Sequence, residues 1–67
     1  MYEGLIEITV NWGRAYLRRY PDKEDRVIES SLNWVKGYYK ALTGEDIPPE
    51  LLKTIEKRLR EEFGPDF

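Results

Sequence analysis

Cysteine, histidine and glutamine are all absent from this 67-residue chain. Without Cys there are no disulfides and no thiolate metal ligands, and without His there is no imidazole ligation. The commonest general base and the most nucleophilic side chain are missing with them. A carboxylate-only cation site would need a loop of the D-x-[DN]-x-[DN]-G kind, and none occurs. The five glycines stand apart at positions 4, 13, 37, 44 and 64, so no phosphate-cradling loop forms either. Glu45-Asp46 and Glu61-Glu62 are paired carboxylates, but no apolar run beside them offers the pocket that acid–base chemistry needs. A non-enzymatic protein is expected, with no cofactor and no metal.

Long apolar runs are also missing. No segment approaches the length of a transmembrane helix, and Glu3 and Glu7 interrupt the apolar stretch at the N-terminus where a signal peptide would need continuity. The expectation is a cytoplasmic protein with no membrane partner. Charged residues make up 36% of the chain with both signs interspersed, a thermophile-like composition. The net charge of -2 is uneven. Residues 1–43 carry seven Lys/Arg against six Asp/Glu (+1), and residues 44–67 carry four against seven (-3).

What is present is a self-similarity at an offset of 22 residues. LIEITVNWGRAYLR (5–18) aligns with VIESSLNWVKGYYK (27–40), with identities at Ile6/Ile28, Glu7/Glu29, Asn11/Asn33, Trp12/Trp34 and Tyr16/Tyr38. Chance would give about one identity in such a window, so the pattern predicts an internal duplication. It also decides a conformational ambiguity. Ile6, Ile8, Val10 and Trp12 alternate with polar residues, as in a strand, and a strand followed by two helices would suggest a ribbon-helix-helix DNA-binding dimer. In the matching segment Ile8 is replaced by Ser30 and the alternation vanishes. The shared pattern is helical: 6, 10, 13, 17, 20 and 28, 32, 35, 39, 42.

The punctuation predicts three helices, at about 4–20, 23–43 and 48–63, with a flexible tail over 64–67. Pro21-Asp22 ends the first, and Asp22 with Asp25 reads as an approximate capping box for the second. Gly44 follows as a C-terminal cap, and Pro48 and Pro49 fit the first turn of the third. The fold class is therefore a small all-α domain: a long antiparallel helical hairpin and a shorter C-terminal amphipathic helix, in one domain over residues 1–67.

Each matched helix carries three stripes. Ile6, Val10, Gly13, Leu17 and Tyr20, with Ile28, Leu32, Val35, Tyr39 and Leu42, form an aliphatic seam expected to close the hairpin, Gly13 allowing close approach. Leu5, Trp12 and Tyr16, with Val27, Trp34 and Tyr38, form an aromatic stripe about 100° away. Together they make each helix apolar over about half its circumference, too wide for a hairpin alone. Something must cover the aromatic stripe, and the third helix has one narrow stripe with which to do so. Trp12, Tyr16, Trp34 and Tyr38 thus either complete the monomer core or serve as a protein interface, in a homo-oligomer (a dimer first) or against another protein.

The third stripe is polar: Glu7, Asn11, Arg14 and Arg18, matched by Glu29, Asn33, Lys36 and Lys40. A solvated, charge-paired face is the plain account of it. The alternative is that Arg14, Arg18, Lys36 and Lys40 contact phosphate, as in a small plasmid- or virus-type nucleic-acid-associated regulator. The leading expectation is an interaction or assembly module working through its aromatic face.

Overall fold

The structure, a computed structural model, describes residues 3–64. It contains three helices, α1 (Glu3–Arg19), α2 (Val27–Thr43) and α3 (Pro49–Phe63), with a short 3₁₀ turn at Glu24–Arg26. There is no strand among the described residues, so the alternation at 6–12 does not produce one. The periodicity of 3.6, shared by both matched segments, prevails over the local period of two. The expected tail behaviour of residues 65–67 lies outside the described residues.

The helix ends follow from local chemistry, with one correction. Gly44 takes the left-handed conformation at φ 77° and donates its N–H to the Lys40 carbonyl, as a C-terminal cap should. Pro49 opens α3 at the position where a missing N–H costs nothing. Asp22 and Asp25, however, do not cap α2: the residue preceding it is Arg26, and no side chain bonds the first turn. Residues 20–26 are all exposed, so no packing holds a regular helical turn there, and the chain tightens into 3₁₀ geometry until Val27, 1% exposed, enters the interior. The middle helix is accordingly 17 residues and about 26 Å long.

α1 and α2 form an antiparallel hairpin, and α3 packs on it in the same chain. Arg14 reaches Glu62 and Glu7 reaches Arg58, so α3 runs parallel to α1. The core is small: Val10, Val35, Leu51, Ile55 and Leu59 form one cluster, with Ile6, Ile28, Leu32, Tyr39 and Phe63 packed at its edge. α3 contributes three of the five central residues from a single stripe spaced by four. Burying such a side chain contributes about 1.5–3 kcal/mol, so this short list leaves little surplus over chain entropy.

The hairpin closes on the centre of the expected aliphatic seam, where Val10, Gly13 and Val35 are buried, but not on its ends. Tyr20 and Leu42, the ends of that seam, are 39% and 65% exposed. The buried positions between α1 and α2 include the small residues Thr9, Gly13 and Ser31. A Cβ built on Gly13 would sit 2.9 Å from the Ser31 hydroxyl oxygen and 2.8 Å from the Phe63 ring, which shows how near the elements approach there. Small side chains let two backbones come together, and the larger aliphatics beside them are turned toward α3 instead. Thr9 satisfies its buried hydroxyl by donating to the Leu5 carbonyl at 2.8 Å, whereas the Ser31 hydroxyl, also fully buried, has no hydrogen-bond partner among the described residues.

Two substitutions test this crossing. Ser31→Ala removes a buried hydroxyl that bonds to nothing and improves helix propensity, so it should leave stability unchanged or raise it by about 0.5–2 kcal/mol in a denaturant titration. A loss of stability would show that the hydroxyl is bonded. Gly13→Ala should lower stability despite the roughly 1 kcal/mol helix-propensity gain, because Phe63 and Ser31 must both give way.

Candidate interaction surface

The close crossing brings the two aromatic stripes into one. On each helix a Trp and a Tyr four residues apart lie side by side on one face, because that spacing is nearly a full turn. Trp12 stacks on Tyr16 with ring centroids 5.5 Å apart, and Trp34 stacks on Tyr38 at 4.9 Å. Across the hairpin Trp12 stacks on Trp34 at 5.5 Å, the planes only 15° from parallel. Tyr20 extends the row by tilting against Tyr16 at 5.2 Å. The result is a ladder of five rings, Tyr20–Tyr16–Trp12–Trp34–Tyr38. Arg19 and Lys23 lie 5.9 Å and 5.6 Å from the Tyr20 ring centroid and cap that end.

The ladder runs along the hairpin on the side away from α3. α3 is tied to the α1 edge bearing Glu7 and Arg14, and Phe63 reaches Gly13. At 100° per residue, Trp12 and Tyr16 lie on the opposite side of α1 from Glu7 and Arg14. The third helix therefore does not lie over Trp12, Tyr16 and Tyr38, while Leu5 and Trp34 pack against the core and Val27 is buried. Trp34 touches the edge of the core, and the rings otherwise shield one another, leaving Trp12, Tyr16, Trp34 and Tyr38 half-buried and Tyr20 exposed.

Ring spacing limits what such a surface accommodates. Centroids 4.9–5.5 Å apart leave no slot between neighbours. Inserting a base, a sugar or a proline ring would require two contact distances of about 3.5–4.0 Å each. What the ladder offers outward is a closed strip of ring edges, suited to another broad surface.

The polar stripes meet different surroundings. Arg14 donates to Glu62 at 2.8 Å and to Asn11 at 3.4 Å, and Glu62 also accepts from Arg58, which reaches Glu7. This four-member charge chain fastens α1 to α3. Lys40 pairs with Asp46 at 3.3 Å, while Arg18 and Lys36 make no ion pair among the described residues. The α1 row thus borders the Arg58–Glu62 edge of α3, and the α2 row, with Glu29, Asn33 and Lys36, lines the groove at the other edge of α3. Arg14 and Arg18 stand on one flank of the bundle and Lys36 and Lys40 on the other, so the four cations are not gathered into one surface. No three potential metal-ligating side chains come together among the described residues, and no described helix is long and apolar enough to cross a membrane.

Two features escaped the sequence pattern. Tyr20 sits in the ladder, although its spacing also fits the aliphatic seam; continuing the i,i+4 series from Trp12 through Tyr16 would have found it. The Trp12–Trp34 contact required the crossing point, which no one-helix periodicity contains.

The inter-helix stack should be measurable. A double-mutant cycle of Trp12→Ala and Trp34→Ala should return a coupling of about 0.5–1.5 kcal/mol, the range for aromatic pairs in contact. Additive losses would mean that the two rings do not stack in solution. No protein-family model, curated protein or solved structure matches this chain.

Proposed function

We propose that the protein is a non-enzymatic assembly module that self-associates through the aromatic ladder, with Trp12, Tyr16, Trp34 and Tyr38 covered by a second copy in a two-fold dimer. One observation carries this reading: five aromatic rings form a continuous strip on the side of the hairpin that α3 leaves bare. Three arguments support it. Trp and Tyr are the residues over-represented at binding hot spots, where they bury large area at low entropic cost. The order Tyr16–Trp12–Trp34–Tyr38 reads the same from both ends, so the strip has the approximate self-complementarity that an isologous contact uses. The small core leaves a reason for association, since a chain of this size usually needs one further source of stability.

A phosphate-binding role draws less support from the geometry. Of the four cations in the two polar rows, Arg14 and Lys40 already face carboxylates, and the other two, Arg18 and Lys36, lie on different flanks.

Light scattering or sedimentation equilibrium tests the proposal. The wild type should show at least twice the 8.0 kDa chain mass, and Tyr16→Glu with Tyr38→Glu should weaken association at least tenfold while helicity persists. A mass of 8.0 kDa for the wild type at its highest soluble concentration would contradict self-association. Retention of duplex or single-stranded nucleic acid that falls steeply with salt, and is lost on replacing Arg18 and Lys36, would move the assignment to a nucleic-acid partner.

A further inference from the structure

On a different face from the ladder, α2 and α3 enclose a long open groove whose charge changes sign along its length. Its floor is apolar, formed by Ile28, Leu32 and the Phe63 ring, all only partly buried. At the end where α2 begins and α3 finishes, the rims carry Glu24, Asp25, Glu29 and Glu61. Toward the other end they carry Lys36, Lys53 and Lys57. Between them Glu56 and Arg60 pair with each other at 2.6 Å and cancel. None of the four acids or three lysines makes an ion pair within the chain among the described residues.

We infer that this groove is a second self-contact, occupied by the same groove of another copy related by a two-fold axis across its length. The charge pattern selects that occupant. An antiparallel copy sets Glu24, Asp25 and Glu29 of one chain beside Lys36, Lys53 and Lys57 of the other, twice over, and the paired rims close both apolar floors off from bulk water. A parallel copy would oppose like charges throughout, which is destabilising and fixes the register. A uniformly acidic or basic partner would satisfy one end and repel the other. A chain with two isologous contacts on different faces assembles past the dimer, to a closed tetramer when the axes meet and to an open array when they do not. The groove contact uses none of the ladder residues and stands whether or not the ladder self-associates.

A charge exchange tests it on the full chain. One variant carries Asp25→Lys with Glu29→Lys, and another carries Lys53→Glu with Lys57→Glu; solution masses are measured for each alone and for an equimolar mixture. Each variant alone should lose one association step relative to the wild type, and the mixture should regain the wild-type mass. Raising salt to roughly 1 M, where the Debye length is about 3 Å, should lower the wild-type mass by the same step. The groove proposal is overturned if both variants keep the wild-type mass, or if the mixture stays at the mass of its components or forms aggregates of no fixed size. The ladder is read separately from the mass that each variant retains: dimers mean that the aromatic contact persists, and monomers mean that it does not form.

Discussion

The close crossing of α1 and α2 at Thr9, Gly13 and Ser31 governs the rest of the structure. Because these three side chains are small, the backbones approach until a Cβ on Gly13 would meet both Ser31 and Phe63. That approach brings Trp12 and Trp34 into face contact on one side of the hairpin. On the other side it sets Val10 and Val35 close enough for α3 to lay its Leu51–Ile55–Leu59 stripe over both. Larger residues at the crossing would separate the Trp rings and widen the seat of α3 together. The unpartnered Ser31 hydroxyl is a cost borne at this point, offset by the contacts that the small side chain permits.

Around this crossing the chain divides its apolar surface between two uses. Most of the aliphatic residues are buried where α3 covers them, Ile8 and Leu42 excepted. The aromatic residues are covered only in part, by each other, so Trp12, Tyr16, Trp34 and Tyr38 remain half-buried and Tyr20 exposed. The charged residues divide as well. Glu7, Arg14, Arg58 and Glu62 are spent on fastening α1 to α3, in exposed pairs that each contribute a fraction of a kcal/mol. Among the described residues, those along the α2–α3 groove make no ion pair except Glu56 with Arg60.

Much of this was legible in the residues. The three helices, the Gly44 cap, the opening prolines of α3 and the grouping of Trp12, Tyr16, Trp34 and Tyr38 on one face all follow from spacing and turn chemistry. The start of α2 did not, because Asp22 and Asp25 present a cap pattern that wins only where burial supports the first turn, and residues 20–26 are all exposed. The hairpin seam was legible in part: Val10, Gly13 and Val35 are buried and Gly13 marks the close approach, while Tyr20 and Leu42 at the ends are exposed. Periodicity ranks faces by hydrophobicity and so passes over the short polar residues buried beside the glycine. Thr9 and Ser31, matched at the offset of 22, carried that information as a pair of short polar residues that a hydrophobic pattern discards. The charge rows were visible as rows, but their separation onto two flanks depends on where α3 sits.

The central claim is that the ladder on the bare side of the hairpin is covered by a second copy. The most direct measurement is an isotope-filtered NOE experiment on a mixture of labelled and unlabelled protein, which detects only contacts between copies. The expected result is a set of inter-copy contacts to the ring protons of Trp12, Tyr16, Trp34 and Tyr38. Ring contacts found only within one chain, at a concentration where the wild type is fully folded, would contradict it.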